Sequence, residues 1–144
     1  MPTSLQDRLQ AGAQAYAPLT ALIGSSPMRW YQNDLQQGSF YPAIVVTRIS
    51  GQASYAVNRR MKTGFARFQF LIWGGMYQSG AAARDAVAAA LIDFMDQWSG
   101  GSGITGLSQY SNTNVLDREA TYRQKDSTVY QRLLDFMIFA DDSL

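Results

Sequence analysis

A chain of 144 residues with twelve Lys+Arg against eleven Asp+Glu, net +1, has the length of one domain and no general attraction for a polyanion. It contains no cysteine and no histidine, which removes disulfide frameworks, thiolate nucleophiles, zinc–thiolate sites and the commonest general base, and with them most familiar hydrolase chemistries. A hydrophobic fraction of 47% against 16% charged is apolar for a small monomer, and the surplus points to burial against other copies. No run of about 18 apolar residues occurs, and MPTSLQDRLQ lacks the basic segment and apolar stretch of a signal peptide. The expectation is a soluble protein made in a cytoplasm, with no membrane role.

Thr3 or Ser4 can cap a first helix, with Gln6 at the capping-box position for Thr3, and Leu5, Leu9, Ala13 and Tyr16 repeat at helical spacing. Pro18 interrupts that helix and starts a short second one, PLTALIG, ending at Gly24. MRWYQ then reads as a first strand that ends in the polar NDLQQGS. After Pro42, AIVVTRIS is rich in β-branched residues and apolar on both faces, which suits a central strand. The polar connection from Gly51 to Gly64, basic in its second half, is expected to extend the flanking strands as a projecting hairpin arm.

From Phe65 to Trp73 the chain reads as a strand with Ala66, Phe68, Phe70 and Ile72 on one dry face. Gly74 and Gly75 are expected to break it, and Ser79 to cap a long alanine-rich helix. On that helix Val87, Leu91, Phe94 and Trp98 form a stripe for the sheet, while Asp85, Ala89, Asp93 and Asp96 lie opposite. Ser99, Gly100 and Gly101 end it. The Gly/Ser/Asn-rich stretch that follows, to Asn114, has little apolar surface and reads as a mobile loop with a short strand near Ile104 to Leu107. VLDREATYRQ reads as a strand, Lys125, Asp126 and Ser127 as a turn, and TVYQRLLDFMIFA as a final strand buried on both sides in its inner half. The sum is a single α+β domain over 1–144: helices packed on one face of a mainly antiparallel sheet.

Several clusters invite chemistry, and each has a plainer reading. Gly75 and Gly80 have phosphate-loop spacing, but Ala81 and Ala82 stand where that loop needs a lysine and a hydroxyl, so a turn and helix start is preferred. Asp93 and Asp96 share a helix face, yet two carboxylates make a poor cation site and a solvated face is preferred. Asp135, inside an apolar strand, must be paired or protonated. Arg132 falls on the opposite face, which leaves Arg48 or Arg67 on a neighbouring strand, in a structural pair or an interface. Arg59, Arg60, Lys62 and Arg67, with Tyr55, Phe65 and Phe68, could be a nucleic-acid patch, but the same pattern describes a basic hairpin tip that contacts protein, which is favoured. The outer helix face, with Ala82, Ala86, Ala89 and Ile92, would admit a neighbouring subunit closely, though alanine is also simply a good helix former.

The order of these segments resembles the tail-completion, or tail-terminator, family of long-tailed phages and related particles. The resemblance is carried by the amino-terminal helix ending in PLTALIG, YPAIVVTRISG, FQFLIWGGMYQSGAAARDAVAAAL with its turn Met76-Tyr77-Gln78-Ser79, and the closing strand with Tyr130, Arg132, Asp135 and Phe136. It spans Leu5 to Phe139. It implies a virion protein with no enzymatic activity and no cofactor. Such a protein forms a ring, usually of six subunits, on the head-proximal end of the tail tube; the ring stops tube growth and joins the head connector, and DNA passes through it only as cargo. On that reading strand and helix edges, with Ala82, Ala86, Ala89, Ile92 and Asp135, build the ring. Asn58, Arg59, Arg60 and Lys62, and the stretch Gly100 to Asn114 with Gly101 and Gly103, meet the tube or connector. The alternatives are a connector or tube subunit and, in another class, a small carboxylate-dependent enzyme or ligand-binding domain resting on Asp93, Asp96 and Asp135.

Overall fold

A computed structural model describes residues 5–25, 27–33, 40–56, 59–98, 109–124 and 127–141. Two short helices, α1 (Leu5–Gln14) and α2 (Ala17–Ile23), lead into a three-residue strand β1 (Trp30–Gln32) and then the long hairpin β2 (Ala43–Ala56) and β3 (Arg59–Met76). The helix α3 (Tyr77–Trp98) follows β3 without a gap, and a second long hairpin, β4 (Gln109–Gln124) and β5 (Ser127–Asp141), closes the chain. The strand order is β1-β2-β3-β5-β4, antiparallel throughout except for β1, which runs parallel to β2. The α+β sheet expected from the sequence is therefore present, with the helices on one face.

Alternation along the strands decides which side is dry. Ile44 and Val46, Ala66, Phe68, Phe70 and Ile72, and Leu134, Phe136 and Ile138 are buried beneath Leu9, Leu19, Ile23, Val87, Leu91, Phe94 and Met95 of the helices. Phe70 meets Phe136 edge-on at 5.7 Å and Trp30 at 5.9 Å, so the centre of this core is aromatic. Arg29 holds the helices to the sheet entry: its Nε donates to Pro42 O (2.7 Å) and its Nη2 to Leu22 O (3.0 Å) in the last turn of α2.

Three expectations need correction. The strand does not break at Gly74 and Gly75. Instead β3 carries a bulge there, with Gly75 at φ +127, and continues to Met76, so Ser79 lies exposed inside α3 and does not cap it. The reason is steric, since a Cβ on Gly74 would strike Gly80 O and Arg84 Cβ, and one on Gly80 would strike the Gly75 backbone. Two glycine surfaces in contact let the strand turn directly into the helix with no loop between them. Second, Ile92 is half-buried and packs against the core rather than standing clear with the alanines. Third, Gln109 to Asn114 belong to β4, because pairing with Phe136 to Ala140 of β5 supplies the backbone bonds that their polar side chains do not promise. The expected hairpin arm is present, with β2 and β3 paired out to Ala56 and Arg59. β5 and β4 accompany the hairpin as far as the row Ala53, Gly64, Ala140 and Gln109, and it continues beyond them to Ala56 and Arg59. The expected caps Thr3 and Ser4, the helix exit at Ser99 to Gly101 and the strand near 104–107 lie outside the described residues.

Replacing Gly80 by Ala is expected to lower stability by about 2–3 kcal/mol, the scale of overpacking a rigid site, whereas Ala86→Ser on the exposed face should change it by less than about 0.5 kcal/mol. Chemical denaturation of the two variants checks this; equal midpoints would refute the glycine crossing.

Candidate functional site

The face of the sheet away from the helices has no layer over it among the described residues, yet much of it is buried by its own side chains. Trp73 of β3 stacks on Tyr41 (6.3 Å, 18°) and meets Tyr122 of β4 edge-on (5.5 Å). Trp73 and Tyr122 belong to strands separated by β5, so the pair bridges over that strand, and beneath it Val129 and Gln131 of β5 are buried. Further along the same face Arg67 donates from Nε (3.1 Å) and Nη2 (2.6 Å) to Asp135 Oδ2. Asp135 is 2% exposed, and its Oδ1 has no hydrogen-bond partner. Of the two partners the sequence offered, the structure selects Arg67. Arg48 faces the helices opposite Phe68, where it has interactions of its own.

On the helix side a second charged group ties α3 to the far edge of the sheet. Arg132 grips Asp117 with two bonds (Nε to Oδ1 2.9 Å, Nη2 to Oδ2 2.8 Å) and reaches Asp85 at 3.4 Å. Arg84, 7% exposed, donates to Asp85 (3.1 Å), lies 3.6 Å from Glu119 and sits over the Tyr130 ring at 5.8 Å. The Asp117 carboxyl is held below its ordinary value by the Arg132 hydrogen bond. This network was not read from the sequence, because its members come from α3, β4 and β5 and no spacing along the chain brings them together.

The other anticipated residues are dispersed. Ala82, Ala86 and Ala89 are exposed on the outer face of α3 with Asp85, Asp93 and Asp96. Asp135 lies on the opposite side of the sheet from α3, so the three acids invoked for a carboxylate-dependent site do not converge. No group of three or more His, Cys, Asp or Glu able to hold a metal occurs among the described residues, and no described helix is long and apolar enough to cross a membrane. Arg59, Arg60 and Lys62 are in the arm strand of β3; Asn58, Gly100, Gly101 and Gly103 lie outside the described residues.

What the geometry offers instead is edges. Among the described residues, β2 is flanked by β1 only at Ile44, Val45 and Val46, and β4 has a strand on one side only. Unpaired strand edges are sites of association between chains unless charge or distortion blunts them. Two of the exposed large hydrophobic residues, Ile49 (46%) and Val115 (45%), stand at bulges on these two strands.

No family model and no curated protein matches the chain. Among solved structures it is similar in fold to a chain described as "Virion of native gene transfer agent (GTA) particle", with a TM-score of 0.61 over 94% of this chain and 95% of that one, at 14% identity. The likeness runs nearly end to end on both chains, and it is a likeness of fold.

Two outcomes follow from the ion pairs. Arg67→Met leaves a buried carboxylate without its partner and should cost about 2 kcal/mol, reduced from the fully buried case because Arg67 is 37% exposed; adding Asp135→Leu should recover most of the loss. Urea titration of single and double variants reads it, and additive losses would contradict the coupling. For Asp117 the folded pKa lies below the ordinary 3.8, so its stabilising contribution is full above that value and disappears as pH falls through the folded one. Asp117→Asn should flatten the acid limb of the stability curve below about pH 4; an unchanged limb would show that the pair contributes nothing.

Proposed function

We propose that this chain is a structural protein of a phage-like virion, acting through assembly rather than catalysis, and that it forms a ring capping the head-proximal end of a tail tube. The observation that carries the reading is the near end-to-end likeness of fold with a chain of a gene transfer agent virion. The free edges of β2 and β4 support self-association, since edges on opposite sides of one sheet make head-to-tail contacts, which give a ring where the rotation closes. The order of motifs from PLTALIG to YQRLLDFMIFA supports the tail-terminator assignment within that class.

On this reading the domain works as one unit, built into a collar that is six subunits round. The arm with Asn58, Arg59, Arg60 and Lys62, and the connection with Gly100, Gly101 and Gly103, reach the tube protein on one side and the head connector on the other. DNA crosses the ring as cargo. Neither a cofactor nor a membrane enters the mechanism.

Tail tubes assembled with and without the chain separate the reading from its neighbours. With the chain present, negative-stain images are expected to show tubes of one length with a collar at one end; without it, tubes overgrow and do not join heads. Incorporation along the tube wall would identify a tube subunit instead. Removing residues 101–107, which leaves β4 whole, is expected to preserve the collar and reduce head joining at least tenfold. Undiminished joining would remove that segment from the docking surface.

A further inference from the structure

The register of the sheet says which parts of the two open edges can meet. Reading across the strands, Thr47 of β2 shares a row with Gln69, Asp135 and Leu116, and Ala53 shares one with Gly64, Ala140 and Gln109. The stretch of β2 left uncovered by β1 therefore lies level with β4 from Gln109 to Leu116. β2 and β4 also run in opposite directions, because each of the three pairings between them is antiparallel. A second copy can thus lay its β2 against this β4 as an ordinary antiparallel neighbour, with rotation and no shift along the strands. Contact without a shift is the condition for a closed ring; a shift would give a climbing filament.

Charge falls on the other half of the edge. Asp117, Arg118 and Glu119 occupy the part of β4 level with β1, where the partner edge is already covered, and Arg123 lies beyond the start of β2, while Gln109 to Leu116 (QYSNTNVL) has no charged residue. Charged side chains discourage strand addition, so the edge is guarded where no partner fits and open where one does. The bulges agree. Ile49 stands between Arg48 and Ser50, opposite Phe68 and Arg67, and Val115 between Asn114 and Leu116, opposite Phe136 and Asp135. Phe68 pairs with Phe136, so the two extra residues fall within about one row of each other on the two edges, each presenting an exposed apolar side chain.

We infer that copies of this chain join by adding the free half of β2 (Thr47 to Ala53) to the uncharged half of β4 (Gln109 to Leu116) of the next copy, with Ile49 of one packed against Val115 of the other. The inference rests on the assembly reading above and names the surface that carries it. The two bulges flank the same row, Phe68 and Phe136, from opposite sides, so the register without a shift keeps Ile49 and Val115 within about one row of each other. Among the described residues, the exposed hydrophobics Phe40 and Tyr122 take no part in this contact.

The chain has no cysteine, so a pair can be introduced cleanly. In Ile49→Cys/Val115→Cys the new thiols meet only across the boundary between copies, at the close Cβ approach a disulfide needs. Mild oxidation is expected to give a ladder of covalent oligomers on a non-reducing gel, ending at the subunit number of the wild-type ring, while each single-cysteine variant stays a monomer band. Wild-type rings seen in negative stain without a ladder in the double variant would overturn the edge contact and leave the assembly reading standing. Absence of wild-type rings, alone and with tail tubes, would overturn both. Charge reversal gives the independent check: Ile49→Lys alone and Val115→Glu alone should each abolish rings while keeping the wild-type circular dichroism spectrum, and the two together should restore them. Rings in either single variant would count against the contact.

Discussion

The close approach of Gly74 and Gly75 to Gly80 is the constraint on which the arrangement depends. With backbone against backbone at that crossing, the end of β3 passes straight into α3, and the direction of the helix is set by the strand rather than by a flexible connection. That direction lays Val87, Leu91, Phe94 and Met95 on Phe68, Phe70 and Phe136 and commits every helix to one face. Among the described residues the other face carries no second layer, and the edges of β2 and β4 stay largely open. Any side chain at residue 74 or 80 would force the two elements apart and loosen the core that depends on their contact.

The two sides of the sheet are finished differently. The helix side is sealed by area, with buried aliphatic and aromatic groups over the whole span from Ile23 to Ile138. The open side is sealed locally, by Trp73 bridging over β5 to Tyr122 and by Arg67 folded onto Asp135, so that Val129 and Leu133 are dry without a second layer. A sheet finished in this way needs no cover on its face. Strand edges carry rows of backbone groups that a neighbouring strand can pair with, the general reason for placing association there. The Arg84–Asp85–Arg132–Asp117 group fits the same picture, since it fastens β4 to α3 and keeps that edge in place.

Periodicity made most of the fold legible in advance. The alternation of Ala66, Phe68, Phe70 and Ile72 and the spacing of Val87, Leu91 and Phe94 are local signals, and they correctly placed the core. Pro18 and Gly24 marked the second helix for equally local reasons. What escaped was set by partners far along the chain. Gln109 to Asn114 are strand because β5 pairs with them, not because their composition asks for it. Ser79 lost its capping role because a glycine pair, not a loop, makes the turn. The charged network joins residues from three elements, and the edge residues Ile49 and Val115 matter only once the strand order is known. The Asp135 partner lay between these cases: strand parity excluded Arg132 and pointed to an arginine on a neighbouring strand such as Arg48 or Arg67, and register chose Arg67.

Native mass spectrometry of the intact chain, alone and in the presence of tail tubes, tests the central claim that this protein works by closing copies into a collar. The account predicts one closed stoichiometry with no ladder of larger species. A monomer that persists under both conditions, or an open-ended series of oligomers, would contradict it.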